Sequence, residues 1–319
     1  MAPWLGTALK AGVTFGLLFL LGTRVELATS LDLLTRASIA VFASVIVVLT
    51  LQVSIAIFRW HLLMTSKEMD VSIGRSACYF WMGLFFNQLL PSSIGGDAVR
   101  GYCLVRQGQS LALATLTILL DRIIAMVGLL MLILIVTPYA LHFIDARELH
   151  WSLGLALLLL TVGLALVVFM GPFTRGFRRW IVLRGLSTLS DSVRQLLRSR
   201  LGFGLTLLSV TIHVLSVVAV GMLSWAIHIE VAWLTLAVIV PITTLLAIVP
   251  ISIAGWGVRE GIMVIGLGYA GIGAEQALAL SILYGLSLLA VALPGGLVWL
   301  VAPGGRSFGA RQVSEREIQ

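Results

Sequence analysis

Apolar residues along the chain gather into long runs separated by short polar stretches. Eight such segments occur, at about 4–23, 38–58, 76–95, 111–136, 151–170, 201–227, 234–250 and 275–300. Most approach the roughly 20 apolar residues that a helix needs to cross a hydrocarbon core of about 30 Å. The pattern predicts an all-α integral membrane protein. Its single polytopic membrane domain is expected over 1–302, followed by a short cytoplasmic tail over 303–319.

A pattern that occurs twice divides the chain into two related halves. The ten residues from Pro91 to Arg100 match the ten from Pro250 to Arg259 at six positions, 159 residues apart in a chain of 319. We therefore predict repeat one over about 1–140 and repeat two over about 150–302. Proline ends a helix and glycine permits a sharp reversal. The predicted turn residues are Pro91, Gly95, Gly96, Pro250, Gly255 and Gly257.

The distribution of lysine and arginine distinguishes two topologies. If all eight segments crossed the membrane, these residues would divide 8 to 12 between the two faces. If 76–110 and 234–270 each enter and leave on one side, the division is 14 to 3, which obeys the positive-inside rule far better. This topology predicts six full spans and two re-entrant helical hairpins. The predicted limbs are 76–90 and 97–106 for the first hairpin, and 234–249 and 256–269 for the second.

Three crossings and one hairpin per half place the second half upside down relative to the first. The hairpins then enter from opposite faces and meet near mid-membrane, as in the inverted-topology repeats of many transporters. Both termini are predicted to be cytoplasmic.

Composition agrees with this picture and excludes several function classes. Hydrophobic residues make up 59% and charged residues 11%, against about 25% charged in a soluble domain. The net charge of +7 is read as a loop excess rather than a nucleic-acid-binding surface. Its largest part, the arginine-rich segment 175–200, is expected to attract anionic lipids. Cys78, Cys103 and the five histidines lack metal-ligand spacing, and no catalytic motif occurs, so no metal, cofactor or enzymatic activity is predicted.

Arg100 and Arg259 occupy the same place in the two copies of the repeated pattern. A guanidinium is always charged and binds phosphate through paired donors. A helix N-terminus beside it adds backbone donors and a positive dipole. The pattern therefore indicates an anion site. The alternative is an arginine that reaches the membrane surface or pairs with Asp97 or Glu260.

Further polar residues complete the candidate lipid-headgroup site. Asp97 is expected to cap the ascending helix, and in a second interpretation also to contact Arg100. Asp121 and Arg122 interrupt an apolar span, either as an ion pair that joins helices or as a contact with the headgroup or with Arg100. Glu260 is expected to pair with a neighbouring helix rather than with Arg259. Asn87 is expected to bond carbonyls freed by Pro91. The remaining candidates, Ser93 and Ser252, are expected to bond the broken backbone or a ligand.

Three segments together resemble a known family. Asn87 to Arg100, then Asp121-Arg122, then Pro250 to Gly261 are similar to the lysylphosphatidylglycerol synthase transmembrane family of flippase-like proteins. The resemblance extends over nearly the whole chain, with a departure at Ala254, where the family often has glycine. It implies a bacterial inner-membrane protein that moves a phospholipid, hopanoid or glycolipid between leaflets. The soluble aminoacyl-transferase domain of two-domain members is expected to be missing, so synthase activity is not implied.

The prediction from these features is a lipid translocase that binds a polar or anionic headgroup. Two alternatives belong to other classes. One is a membrane-embedded enzyme that modifies a lipid headgroup, with Asp97 or Asp121 as the base. The other is a non-transporting scaffold of a lipid pathway. An oligomer and a monomer are both compatible with the pattern.

Overall fold

A computed structural model describes residues 3–25, 27–90, 95–143, 147–175, 181–247 and 252–301. Every regular element in these ranges is an α-helix, and none is a strand. In chain order the helices are α1 (Pro3–Arg24), α2 (Leu27–Arg36), α3 (Ile39–Thr65), α4 (Ile73–Leu89), α5 (Gly95–Arg106), α6 (Leu111–Phe143), α7 (Arg147–Arg175), α8 (Ile181–Leu197), α9 (Arg200–Ala226), α10 (Trp233–Ala247), α11 (Val258–Gly268) and α12 (Ala274–Val301).

The predicted hairpin limbs correspond to two pairs of short helices. Helices α4 and α5 lie within three residues of the predicted bounds of the first pair, and α10 and α11 within two residues of those of the second. In each pair the two helices pack against each other. The predicted turn residues Pro91 and Pro250, and the site candidate Ser93, lie outside the described residues.

The turn before α11 has an unusual backbone. Ala254, Gly255 and Gly257 have φ angles of 49°, 79° and 84°. These angles are readily adopted by glycine but cost an L-residue about 1–2 kcal/mol. Ala254 therefore bears backbone strain that a glycine at the same position would not.

Four helices are long and apolar enough to cross a membrane, namely α3, α6, α9 and α12. The described apolar stretch of α7, Leu157–Gly171, is shorter. The stretch Lys10–Thr23 of α1 reaches the length and hydropathy of a membrane span only when it is taken together with Ala28–Thr35 of α2. The two stretches are bent by 96° relative to each other. The described residues thus show a helical, multi-pass architecture with four clear span candidates.

The order of helices is duplicated between the halves. Helices α1–α6 and α7–α12 both run long, short, long, two short, long. Their packing is duplicated as well. Helix α4 of the first half packs on α12, and its counterpart α10 packs on α6. Helix α5 packs on α6, and its counterpart α11 packs on α12. The counterparts α3 and α9 pack directly on each other. Exchanging the halves therefore reproduces most of the helix contacts around the two short-helix pairs.

Two helices lie where the sequence predicted polar loops. Helix α2 occupies the loop predicted at 24–37, and α8 occupies most of 171–200. Helix α8 is amphipathic because its apolar residues recur at the spacing of one helical face. Leu189, Val193 and Leu196 are buried among leucines and isoleucines of α3, α6 and α9, whereas Arg184 and Arg198 are exposed.

Adjacent leucines of α8 offer a matched test of this packing. Leu196 is 8% exposed and Leu197 is 37% exposed. Leu196→Ala leaves a cavity, and we expect it to lower the free energy of unfolding by about 2–3 kcal/mol. Leu197→Ala is expected to change it by no more than about 0.5 kcal/mol. Thermal unfolding of both variants in detergent measures the difference, and equal unfolding temperatures would show that α8 is not packed as described.

Candidate functional site

The first short-helix pair approaches closely where α5 begins. Asn87 Oδ1 accepts a hydrogen bond from the backbone N–H of Gly96 at 2.8 Å. A Cβ on Gly96 would overlap the carbonyl oxygen of Gly83 in α4. Only glycine permits this contact, which fixes the start of α5 against α4. Asn87 thus caps α5 through its side-chain oxygen, whereas the sequence predicted that it would bond carbonyls freed by Pro91.

Arg100 is buried between α5 and its neighbours. Its side chain crosses Gly83, where a Cβ would lie 2.8 Å from Arg100 Cγ. Its guanidinium lies 3.9 Å from the ring centroid of Trp60 and 4.6 Å from that of Phe80. Arg100 is 5% exposed, so its charge depends on protein partners rather than on water.

Two carboxylates neutralise most of the charge around Arg100. Asp121 accepts hydrogen bonds from Arg100 Nη2 and from Arg59 Nε, both at 3.0 Å. Asp97 accepts one from Arg100 Nη1 at 3.4 Å and one from Arg122 Nε at 2.8 Å. Arg59 Nη1 also donates to Ser209 Oγ of α9 at 2.8 Å. We call these five charged residues of α3, α5 and α6 the ion network.

The ion network settles how several predicted residues are arranged. Asp121 joins helices α3, α5 and α6 through ion pairs. Its pair with Arg100 agrees with the alternative expectation, whereas its pair with Arg59 was not predicted. Asp97 is not an N-cap, because α5 already begins at Gly95. It lies in the first turn and contacts Arg100 from there, as the second interpretation expected.

Arg259 is held in a different way in the second half. Its Nε and Nη2 donate to Glu260 Oε1 at 2.9 and 2.6 Å. Its guanidinium lies 4.4 Å from the ring centroid of Trp256. Gly285 of α12 makes room for it, since a Cβ there would overlap the guanidinium. Arg259 is 5% exposed and Glu260 is fully buried.

The prediction that Glu260 pairs away from Arg259 is wrong. The expectation assumed a regular helix face, but Arg259 and Glu260 lie in the first turn of α11. There the Glu260 carboxylate turns back and accepts a hydrogen bond from the backbone N–H of Gly257 at 2.6 Å. This position brings it within reach of the Arg259 side chain. Its contact with a neighbouring helix is a hydrogen bond from Ser281 Oγ of α12 at 3.3 Å.

Two adjoining cavities lie beside the arginines. The larger has a volume of about 360 Å³ and is lined by Arg259 and Ser252, among others. The smaller has a volume of about 190 Å³ and is lined by Arg100 and the rest of the ion network. Both include Leu84, Asn87 and Arg122 in their walls. Arg100 and Arg259 therefore do not line the same cavity, whereas Arg122 lines both.

Arg122 is the network residue that belongs to both cavities. Its side chain is 33% exposed, against 6% for that of Arg100. Its Asp97 partner lines only the smaller cavity, and Glu260 lines neither. The larger cavity thus has two guanidinium groups in its wall, with their carboxylates outside that wall. Such a wall accepts an anionic group without placing a carboxylate against it.

Sequence reasoning missed several residues of this site. Arg59 was counted in a cytoplasmic loop, but α3 continues to Thr65 and buries it. The apolar run resumes at Leu62, Leu63 and Met64, and this signal indicates a continued helix. Without Arg59, the division of Lys and Arg between the two membrane faces becomes 13 to 3. Apart from Asn87 and Ser252, the sequence did not group the uncharged residues of the larger cavity as a site, because they come from helices distant in sequence. Those with hydrogen-bonding side chains include Gln52, His213, Ser216, Thr243, Thr244 and Tyr284.

Metal binding finds no support in the described residues. Within them no group of three or more histidine, cysteine, aspartate or glutamate side chains is placed to hold a metal ion. Ser93 and the turn residues Pro91 and Pro250 cannot be assigned to either cavity, since they lie outside the described ranges.

The helical fold and its buried charges define a polytopic α-helical membrane protein with a polar interior. Residues 7–296 match the family described as "Lysylphosphatidylglycerol synthase TM region", and the chain belongs to this family. A relative from Methanothermobacter thermautotrophicus, named UPF0104 membrane protein, is 22% identical over 252 residues. The alignment covers 70% of this chain and 74% of the relative.

Asp121 allows a direct test of the ion network. Asp121→Asn keeps the size of the side chain but removes the charge that faces two buried guanidinium groups. Breaking a buried pair in this way costs about 3–5 kcal/mol. We expect a lower unfolding temperature in detergent, measured by intrinsic fluorescence. Asp70→Asn, at an exposed position, is the matched control, and equal unfolding temperatures for the two variants would contradict the ion network.

Proposed function

We propose that this protein is a lipid translocase that moves a polar or anionic lipid between the leaflets of the bacterial inner membrane. The observation that carries the proposal is the larger cavity, with Arg122 and Arg259 in its wall and both short-helix pairs beside it. Ionisable residues buried in a membrane protein are costly and usually lie on a substrate pathway. The family to which the chain belongs supports a function in the membrane.

The lengths of the short helices support their assignment as re-entrant hairpins. At 1.5 Å per residue, α4 and α10 are about 25 and 22 Å long, and α5 and α11 about 18 and 16 Å. None reaches across a hydrocarbon core of about 30 Å. Irregular backbone at that depth is tolerated only where protein or a polar cavity surrounds it. The contacts of both pairs with the long helices, and the larger cavity between them, meet this condition.

The inverted topology follows from this assignment. With α1, α3 and α6 as the spans of the first half, α7 begins on the face opposite to α1. The second half, with α7, α9 and α12, then runs upside down, as in inverted-repeat transporters. The division of Lys and Arg by 13 to 3 supports cytoplasmic N- and C-termini. In this arrangement α8 lies at the cytoplasmic surface, where its exposed arginines face anionic lipid headgroups.

The size of the larger cavity limits what it holds. Its volume of about 360 Å³ lies at the lower end of the range of about 300–1,000 Å³ for small-molecule pockets. This volume admits a lipid headgroup but not two acyl chains. In the proposed mechanism the headgroup enters the cavity and contacts Arg122 and Arg259, while the acyl chains stay in the bilayer. The start of α11 adds a positive helix end near the same wall.

Movement of one half against the other would expose the cavity to each face in turn. The ion network ties α5 to α3 and α6, so the first hairpin is expected to move with those spans. The second hairpin contains its own charge pair, Arg259–Glu260, in the first turn of α11. This pair contacts α12 through a hydrogen bond from Ser281 to Glu260. The second hairpin is therefore the element that rearranges more readily.

A catalytic function is not favoured by the contacts of the candidate bases. Both carboxylate oxygens of Asp121 accept hydrogen bonds from guanidinium groups. Asp97 is likewise engaged by Arg100 and Arg122. A general base needs an oxygen within reach of substrate, whereas the hydrogen bonds of both carboxylates described above are with arginine side chains.

Arg259→Ala tests the proposed function in vesicles reconstituted with the purified protein. Loss of charge-assisted hydrogen bonds costs about 1.5–3 kcal/mol, so we expect transfer of a fluorescent phospholipid between leaflets to slow by about 10- to 100-fold. Arg106→Ala, at an exposed position in α5, is the control and is expected to keep the wild-type rate.

A slower transfer by Arg259→Ala is informative only if the variant is folded. The unfolding temperature and the gel-filtration elution volume of the variant are therefore measured as well. A folded Arg259→Ala variant that moves lipid at the wild-type rate would contradict the proposed function. So would wild-type protein that moves no lipid.

A further inference from the structure

The larger cavity is also lined by uncharged hydrogen-bonding side chains. Most come from α3, α9, α10 and α12, which are far apart in sequence, and Ser252 comes from the turn before α11. The proposed role of Arg122 and Arg259 as anion contacts does not use them. The members of this polar wall are Gln52, His213, Ser216, Thr243, Thr244, Ser252 and Tyr284.

Gln52 presents an acceptor in this wall. Its Nε2 donates to Ser216 Oγ at 3.1 Å, and Ser216 Oγ donates to the carbonyl oxygen of Ile212 at 3.4 Å. In this orientation of the amide, the Nε2 end of Gln52 faces Ser216. Gln52 Oε1 is left without a hydrogen-bond partner among the described residues. An unsatisfied buried acceptor is costly, and a donor group on a ligand would remove that cost.

His213 presents a second acceptor. Its Nε2 lies 3.1 Å from the carbonyl oxygen of Ala125 in α6. A carbonyl only accepts, so Nε2 carries the proton. In a neutral imidazole the other nitrogen, Nδ1, is then an acceptor. Gln52 and His213 both line the cavity with this polarity.

Ser252 presents a hydroxyl that both donates and accepts. It is 5% exposed, and its Oγ has no hydrogen-bond partner within the described part of the chain. It lies in the turn that leads to α11, on the side of the cavity where Arg259 lies. The larger cavity therefore has guanidinium donors, uncharged acceptors and one unpartnered hydroxyl in the same wall.

This combination distinguishes between headgroup chemistries. A headgroup ammonium would meet two guanidinium groups and no carboxylate among the described lining residues. A bare phosphate would leave the acceptors of Gln52 and His213 unsatisfied. Hydroxyl groups donate to these acceptors and accept from Ser252. A phosphate that carries several hydroxyl groups fits both parts of the wall.

We propose that the larger cavity selects lipids whose phosphate bears a polyol or sugar headgroup, with Gln52 and Ser252 as specificity-determining residues. The inference rests on the proposed function, because it takes the ligand to be a lipid headgroup. The same polyol-phosphate chemistry also occurs in water-soluble compounds, so the test separates the two sources.

Binding to the purified full-length protein in detergent tests the selectivity. The probes are phosphatidylinositol, phosphatidylethanolamine and phosphatidate with the same acyl chains, together with water-soluble inositol 1-phosphate. We expect phosphatidylinositol to bind at least about tenfold more tightly than the other two lipids, the effect of one well-formed hydrogen bond. Inositol 1-phosphate is expected to bind more weakly than phosphatidylinositol.

Gln52→Leu and Ser252→Ala are each expected to reduce phosphatidylinositol affinity by about tenfold and to leave phosphatidate affinity unchanged. The unchanged phosphatidate affinity separates loss of selectivity from loss of folding. Gln195→Leu, at an exposed position of α8, is the matched control. Equal binding of all three lipids, equal binding of inositol 1-phosphate and phosphatidylinositol, or unchanged selectivity in both variants would overturn the inference.

Leaflet transfer of the same three lipids separates this inference from the proposed function. Transfer of all three at one rate, together with equal binding, overturns the selectivity and leaves the translocase proposal standing. Selective binding without any transfer supports the polyol site and contradicts the translocase proposal.

Discussion

The structure depends on the pairing of buried guanidinium groups. Arg59, Arg100 and Arg259 are each about 5% exposed in a helical membrane protein, where an unpaired charge is very costly. Each contacts a carboxylate at 3.0 Å or less. These pairs determine which helices are held together and where polar space is left between them. The glycines Gly83 and Gly285 are part of the same arrangement, because a side chain there would displace the arginines.

The two halves have the same order of helices but pair their buried arginines with carboxylates from different positions. In the first half the carboxylate comes from the long helix α6, at Asp121. At the repeat offset of 159 residues, α12 has Leu280 in its place. The second half instead provides Glu260 within α11 itself. The first hairpin is thereby joined to two other helices by charge pairs, whereas the second keeps its charge pair within one helical turn. The larger cavity lies beside Arg259, and its polar wall comes from α3, α9, α10, α12 and the turn before α11.

The sequence allowed most of the helices to be predicted, because a membrane span has a strong apolar signal. It also located both short-helix pairs, since the Pro/Ser/Gly pattern breaks the apolar runs at Pro91 and Pro250. Helices α2 and α8 were missed because an amphipathic surface helix resembles a polar loop when only long apolar runs are considered. The sequence grouped Asp97, Arg100, Asp121 and Arg122 correctly as neighbours. It predicted the contact between Asp97 and Arg100 but not the pairing of Asp121 with Arg59, which comes from another helix. It also did not reveal the pairing of Glu260 with Arg259, which depends on the local geometry of α11. The sequence predicted that His213 lies within a span and hydrogen-bonds between helices, as it does to Ala125 of α6. It did not place Gln52 or His213 in the cavity, because a single polar residue in a span carries no signal of what it faces.

A lipid headgroup is proposed to occupy the larger cavity, between Arg122, Arg259 and the polar wall that includes Gln52 and His213. A cryo-electron microscopy map of the full-length protein in lipid nanodiscs would show whether the cavity is occupied. We expect headgroup density within hydrogen-bond distance of Arg259, and we expect the two hairpins to enter from opposite faces of the disc. Lipid density confined to the outer surface, with the cavity closed by side chains or the halves related by an axis along the membrane normal, would contradict this proposal.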